Sequence, residues 1–177
     1  MKTVPVPNSR RHVLLGLLVS TTLAGPISSV TWAIRCAGAA EDGPGGRLLK
    51  LVNEVRAYEG LETLRSNSQL AAAAQSHSED MAAGDFFDHT GPNGIDIDAR
   101  LARAGYAYKV VAENIAAGSA APERTIQDWM KSGPHRKNIL LPEARDAGVG
   151  YVHRSPDDGE LRYVHYWTLV VAARRTQ

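Results

Sequence analysis

The spacing of apolar residues predicts that the region between residues 47 and 140 is largely helical. Five stretches repeat apolar residues at helical intervals, and they cover residues 47–59, 67–83, 97–104, 122–130 and 134–140. Gly60 and Gly84 follow the first two stretches and are natural helix stops. Asn67 or Ser68 can cap the second helix, and Pro122 suits the first turn of the fourth.

Three other stretches are typical of β-strands because they are rich in apolar, β-branched and aromatic residues. They cover residues 110–116, 147–153 and 161–173. The loop 155–159 between the last two contains Ser, Pro, Asp and Gly, which favour a hairpin turn. Since helices precede this hairpin and do not alternate with strands, the pattern predicts an α+β fold with a central antiparallel sheet.

The charge of the chain is unevenly distributed. The 177 residues carry 20 basic and 19 acidic side chains, a formal charge of +1, and 44% of them are hydrophobic, as in a folded protein. Positions 1–39 contain four basic residues and no acidic residue. Residues 40–177 therefore have a formal charge of −3. This balance argues against a nucleic-acid-binding protein that neutralises many phosphates, and against a general affinity for anionic membranes.

The first 39 residues have the order of a secretory signal. Basic residues precede an apolar run over 13–23, and small residues follow up to Ala39, after which we expect cleavage. The pair Arg10-Arg11 resembles the twin-arginine export motif, and the Sec route also fits. Polar residues interrupt the apolar segment, so it is poorly suited to a stable membrane span.

Cleavage at this position defines the predicted domains. They are a signal peptide over 1–39, a flexible leader over 40–46, one folded domain over 47–173 and a tail over 174–177. The single cysteine, Cys36, precedes the cleavage position, and Arg35 beside it disfavours a lipoprotein signal. We therefore expect a mature protein that has no disulfide and is periplasmic or extracellular in a bacterium.

Three residues are the main candidates for chemistry. His89 lies in a loop after two phenylalanines, Glu113 lies inside an apolar run, and His135 lies at the start of a helical turn. Burying the carboxylate costs several kcal/mol unless it is paired or ligated. Two imidazoles and one carboxylate suit zinc or a similar divalent metal ion. No two of them have short ligand spacing, so each also has an ordinary structural explanation: a loop histidine, a salt-bridged glutamate and a histidine at a turn.

The other histidines have simpler interpretations. His77 falls on the apolar stripe of its helix, and we interpret it as a buried residue whose hydrogen-bond partner is a loop carbonyl, with a role in the site as the alternative. His165 alternates with Tyr163 and Trp167 on a strand face that either lines a cleft or is an ordinary sheet face. His153, near the hairpin loop, is expected to be exposed.

Two further residues complete the set of candidates. Arg100 is placed to pair with Asp96 on its own short helix. Ser132 lies close to His135 in sequence, but no G-x-S-x-G motif surrounds it, which argues against a serine hydrolase.

Taken in chain order, a set of short motifs resembles the CAP superfamily, which contains cysteine-rich secretory proteins, antigen 5 and plant pathogenesis-related 1 proteins. The chain is most similar to its short, exported bacterial branch. The motifs are Leu51–Arg56, His77–Met81, Phe87–Thr90, Ala112–Ala116, Trp129–Leu140, Gly148–Gly150 and Tyr166–Thr168. This resemblance implies a three-layer α-β-α sandwich in an exported protein.

The resemblance also implies a cleft with two histidines and two glutamates, with which divalent metal is associated. His89, Glu113 and His135 occupy three of these positions, whereas Ser132 stands where the second glutamate is expected. The remaining trio leaves coordination positions open to water. The disulfides of the family are absent from this sequence.

Three functions follow from these features. The first is a non-enzymatic protein whose cleft binds a divalent metal ion, with zinc among the candidates, and a lipid, glycan or peptide ligand; His77, Ser132 and Trp167 are secondary cleft residues. The second is a metal-dependent hydrolase of peptide or cell-envelope polymer, in which Glu113 is a ligand or the base that activates water. The third is a structural or interaction module of the cell envelope.

Overall fold

A computed structural model describes residues 43–155 and 160–176 and places five helices and four strands in them. In chain order these are α1 (Pro44–Tyr58), β1 (Arg65–Ser66), α2 (Ser68–Gly84), α3 (Ile97–Arg103), β2 (Tyr108–Ala117), α4 (Pro122–Lys131), α5 (Gly133–Ile139), β3 (Asp146–His153) and β4 (His165–Arg174). The predicted signal peptide, Cys36 and most of the predicted hairpin loop lie outside the described residues. Within the described residues, no helix is both long enough and apolar enough to cross a membrane.

The four strands form one sheet in the order β1-β3-β4-β2. The β3–β4 and β4–β2 pairs are antiparallel, as the sequence predicts, and β1 adds a short parallel pair with β3. Strand β1 was not predicted, because two residues are too few to show a strand period. The sheet leaves β2 at one edge, and this edge carries the candidate site.

The central strand β4 is buried on both faces, which divides the fold into three layers. Trp167, Leu169 and Val171 pack with α1, α4 and α5 on one side. Val170 and Ala172 pack with α2 and α3 on the other side. A strand covered on both faces has a continuous apolar sequence instead of an alternating one. The predicted α-β-α sandwich is therefore confirmed.

Two glycines of β3 allow α2 to lie directly against the sheet. A Cβ atom on Gly148 would lie 2.1 Å from the backbone nitrogen of Ala71, and one on Gly150 would lie 2.3 Å from the carbonyl oxygen of Ala74. Contacts this short exclude any side chain unless the helix or the strand moves. The Gly-Val-Gly segment is thus a packing motif that sets the distance between two layers.

Two elements begin three or four residues away from their predicted starts. Helix α1 begins at Pro44, so the last three residues of the predicted leader are helical, because proline is favoured in a first helical turn. Strand β4 begins at His165 and not at Leu161. The backbone N–H groups of Glu160 and Leu161 donate to the Asp85 carboxylate at 2.6 and 3.4 Å, which holds this segment outside the ladder.

A buried arginine anchors α5, the helix that carries His135. Arg56 of α1 is fully buried, and its guanidinium donates to the carbonyl oxygens of Ile139 at 2.7 Å and Leu141 at 3.0 Å. Charged donors make hydrogen bonds stronger than those between neutral groups. The end of α5 is therefore fixed to α1 at a distance from the cleft.

Candidate functional site

A cleft of about 500 Å³ lies along the outer edge of β2, between the loop that follows α2 and the α4–α5 segment. Its walls combine apolar, acidic and imidazole groups. The lining residues are Phe87, Asp88, His89, Ile115, Ala116, Ala117, Asp128, Trp129, Ser132 and His135. A concave apolar site with a few convergent polar groups is the usual form of a ligand pocket.

Side chains from α4 and α5 close part of the β2 edge beside this cleft. The indole nitrogen of Trp129 donates to the carbonyl oxygen of Ile115 at 3.0 Å, and the Asn138 amide donates to that of Glu113, also at 3.0 Å. Both carbonyls would otherwise lack strand partners, which is costly for buried groups. These two hydrogen bonds therefore fix α4 and α5 against the strand that carries Glu113.

Glu113 is the centre of a buried polar network behind the cleft. Its side chain is only 5% exposed, and each carboxylate oxygen has a nitrogen partner at 2.8 Å: His89 Nδ1 contacts Oε1, and Arg100 Nη2 contacts Oε2. Charge-assisted contacts of this length are strong and directional. The network fixes the orientation of the His89 imidazole, whose side chain remains 55% exposed at the cleft.

Arg100 has a different partner from the one that its sequence position predicts. Asp96 caps α3 by accepting a hydrogen bond from the Ala99 backbone at 2.9 Å, while Arg100 turns inward to Glu113. The arginine is nearly fully buried, and burial lowers its pKa, although the nearby Glu113 opposes that shift. The predicted Asp96–Arg100 pair is wrong because a buried guanidinium requires a buried carboxylate, and Asp96 is on the surface side of the helix start.

His77 supports the loop that carries His89. As predicted, it is buried, and its Nε2 lies 2.9 Å from the carbonyl oxygen of Asp88. A carbonyl can only accept, so Nε2 of His77 carries the proton in this contact. The same nitrogen lies 3.9 Å from Glu113 Oε1. His77 therefore lies behind the site and does not line the cleft. It holds the loop that carries His89, and it lies near the Glu113 carboxylate.

His135 reaches the cleft from the opposite wall. Its carbonyl oxygen accepts a hydrogen bond from the Asn114 amide at 3.0 Å, and its ring centroid is 6.5 Å from that of Trp129. Burial, and secondarily the charge of His89, lower the pKa of His135. The hydrogen bond to Glu113 raises the pKa of His89 above its ordinary value. The two imidazoles of the cleft thus differ in proton affinity.

The secondary candidates divide between the cleft and the core. Ser132 lines the cleft, whereas Trp167 is fully buried and its indole nitrogen donates to the carbonyl oxygen of Ser119 at 2.7 Å. Asp88 and Asp128 also line the cleft and were not predicted from the sequence. The sequence feature that could have identified them is their position directly before His89 and Trp129 in the chain.

Of the three predicted metal ligands, His89 and His135 line the cleft, and Glu113 lies behind it. Within residues 43–155 and 160–176, no three His, Cys, Asp or Glu side chains are arranged to hold a metal ion. Both oxygens of Glu113 are engaged by His89 and Arg100, and Glu113 does not line the cleft. His89 and His135 do line it. A carboxylate that accepts from the second nitrogen of an imidazole is a common outer partner of a metal-ligating histidine.

Comparison with known proteins matches residues 49–171 to the CAP, or cysteine-rich secretory protein, family. The chain is 39% identical over 107 residues to the uncharacterized protein YkwD of Bacillus subtilis, covering 60% of this chain and 41% of YkwD. It is 30% identical over 104 residues to the uncharacterized membrane protein YlbC of the same species, covering 59% of this chain and 30% of YlbC. The chain therefore spans less than half the length of these curated relatives.

Solved structures agree with the family match. An extracellular protein containing an SCP domain from Bacillus anthracis aligns with a TM-score of 0.66 and 26% identity, over 85% of this chain and 45% of that one. An outer surface protein of Borrelia burgdorferi has the same fold, with a TM-score of 0.64 and 15% identity over 73% of this chain and 92% of that one. Because the family match also spans more than half of the chain, this protein belongs to the CAP family of cysteine-rich secretory proteins.

Proposed function

We propose that this chain is an exported binding protein whose cleft holds a divalent metal ion between His89 and His135. The observation that carries the proposal is the pairing of His89 Nδ1 with the buried Glu113 carboxylate at 2.8 Å. This contact leaves Nε2 as the ring nitrogen available for a ligand bond. His135 supplies the second imidazole from the opposite wall of the same cleft.

The chemistry of the two imidazoles favours zinc or a similar ion. Imidazole nitrogen is a common zinc ligand, and the pKa of His135 is lowered, which favours the neutral form that binds metal. Two protein ligands leave other coordination positions for water or for a ligand group. When bound, the ion would act as a Lewis acid toward an oxygen atom of that ligand. Glu113 and Arg100 would hold His89 in place without contacting the ion.

The rest of the cleft suits a ligand that combines an apolar part with oxygen donors. Phe87, Ile115, Ala116 and Trp129 provide apolar wall, and Asp88 lies near the imidazoles. A lipid, a cell-envelope glycan or a peptide can meet both requirements. The secretory character of residues 1–39 and the similarity to an extracellular protein of Bacillus anthracis support export.

The metal proposal can be tested residue by residue with NMR of the histidine side chains. Zinc added to the metal-free protein should shift the ring nitrogen signals of His89 and His135 together, at one common affinity. His77 is a matched internal control, because it is buried and its Nε2 is bonded to Asp88. In the His89→Ala variant, zinc should no longer shift the His135 signals at the same concentration. Unchanged His89 and His135 signals at saturating zinc would refute the proposal.

A further inference from the structure

A second pair of histidines lies at the far end of the β3–β4 ladder. His153 and His165 are direct partners in the register of these antiparallel strands. The Arg154 N–H donates to the Val164 carbonyl at 2.9 Å, so the neighbouring 153–165 position is a non-hydrogen-bonded one. Side chains approach most closely at such positions. The two imidazole rings are accordingly stacked, with centroids 4.6 Å apart and planes 13° from parallel.

Tyr151 supports one ring of this pair. Its hydroxyl lies 2.9 Å from His165 Nδ1, and its ring lies parallel to that imidazole with centroids 6.0 Å apart. On its other side, Tyr151 packs against the buried Trp167 at 4.2 Å. When Nδ1–H of His165 donates to the hydroxyl oxygen, Nε2 keeps its lone pair. The column Trp167–Tyr151–His165–His153 thus leads from the core to an exposed imidazole.

We propose that His153 and His165 bind a divalent late-transition-metal ion, Cu²⁺ most tightly, as a second site separate from the cleft. Imidazole ligands suit copper, nickel and zinc, and copper binds most strongly among divalent ions at such donors. Metal–nitrogen bonds of about 2 Å require the two nitrogens to lie within about 4 Å of each other. The ring centroids are 4.6 Å apart, which brings the two imidazoles into the range of this distance. Because an imidazole ligates along its ring plane, the exposed His153 must turn out of the stacked arrangement so that its nitrogen faces the same ion as His165.

Two features distinguish this site from an incidental pair of surface histidines. The strand register fixes the backbones of both histidines, so ion binding costs little additional conformational entropy. The Tyr151 hydroxyl is an outer partner for His165, as carboxylates and carbonyls are in metal sites.

The site shares no residue with the proposed metal site of the cleft, so the two can be tested independently. Neither His153 nor His165 lines the cleft. In a His89→Ala/His135→Ala variant of the full chain, Cu²⁺ should still bind with one equivalent at the strand pair. Calorimetry would measure the affinity. Quenching of tryptophan fluorescence would report an ion close to Trp167.

The decisive variant is His153→Phe in that background, because phenylalanine keeps a stacking ring and has no ligand nitrogen. The loss of the second ligand should weaken Cu²⁺ binding about a hundredfold, while the melting temperature stays unchanged. Equal Cu²⁺ affinity in the two proteins would overturn the proposal. So would complete loss of binding in the cleft double variant itself, since the ion would then have been held by the cleft alone.

A second variant tests the outer partner and guards against misfolding. Tyr151→Phe removes one hydroxyl and leaves the stacked rings in place, so it should lower Cu²⁺ affinity about tenfold. Binding that is insensitive to both His153→Phe and Tyr151→Phe, in variants with wild-type circular dichroism, would assign the ion to another place.

Discussion

The two histidine pairs of this domain are held in different ways. In the cleft, His89 is oriented by a buried carboxylate that is itself neutralised by a buried arginine. At the end of the sheet, His153 and His165 are oriented by strand register and ring stacking. A buried charge network is sensitive to the loss of a single charge, whereas a register is sensitive to the position of the backbone. Variants that change one feature at a time should therefore affect the two pairs separately.

The largest effect is expected from Glu113→Gln, which keeps the size of the side chain and removes its charge. Arg100 would then be a buried cation without a carboxylate, and we expect the free energy of unfolding to fall by about 3–5 kcal/mol. Urea unfolding at neutral pH would measure it. The strand pair should keep its stacking in the folded fraction, which NMR of His153 and His165 can follow.

Glu123→Gln is the matched control, since the same substitution breaks an exposed ion pair. Arg47 and Glu123 are in contact at 2.8 Å, and both side chains are nearly half exposed. Exposed pairs contribute little to stability, because solvent screens their charges. Equal losses in Glu113→Gln and Glu123→Gln would mean that the network behind His89 is not a buried charge network.

The next effect is expected from Gly148→Ala, which acts on backbone position and removes no charge. The added methyl group would collide with the α2 backbone at Ala71 and push β3 away from the helix. Overpacking of this kind costs about 1–3 kcal/mol. Because β3 carries His153, the stacking with His165 should loosen before the cleft changes. Urea unfolding together with histidine NMR would show the cost and its location.

Gly133→Ala is the corresponding control beside the cleft. A Cβ atom there meets no atom within 4 Å, and the residue begins α5, where alanine is a better helix former. Its unfolding free energy should be unchanged or slightly higher. A loss as large as that of Gly148→Ala would contradict the close-approach explanation.

The smallest effect is a difference in titration between the two cleft histidines. NMR of the metal-free protein should give His89 a pKa above about 6.5 and His135 a pKa below it. The stabilisation from His89 is complete below about pH 6.5 and is lost as the pH rises through its raised pKa. The contribution of His135 has the opposite sign, because stability is lost as the pH falls from about 6.5 toward its lowered pKa.

Together, the two shifts should place the maximum of their combined contribution to stability near about pH 6.5. Replacing His89 with alanine should raise the pKa of His135, because the neighbouring charge is removed. Coincident titration of His89 and His135 would show that the Glu113 contact does not distinguish them.

Local features of the sequence were sufficient for much of the fold. The continuous apolar run of β4 predicted a strand, and the cap at Asn67 predicted where α2 begins. The position of His77 on an apolar stripe predicted its burial and its carbonyl partner. Each of these depends on neighbours within a few positions, or on burial that periodicity reveals.

The site required information that spacing does not contain. An apolar run around Glu113 showed that the carboxylate needs a partner, but Arg100 becomes that partner only when α3 packs beside β2. The sequence predicted that Arg100 pairs with Asp96 because the two are neighbours on the same short helix, whereas the actual partner belongs to another element of the fold. Likewise, Asp85 holds residues 160 and 161 through a contact between segments that are distant in the chain. The start of β4 could therefore not be predicted from the local sequence.

The hydrogen bonds that fix α4 and α5 also have a consequence for solubility. An edge strand with free carbonyl groups is a template on which another chain can pair and aggregate. In β2, the Trp129 indole and the Asn138 amide occupy two outward carbonyls, so an incoming strand would have to displace both side chains. Trp129, which lines the cleft, and Asn138 thereby also hinder the addition of another strand at the β2 edge of the sheet.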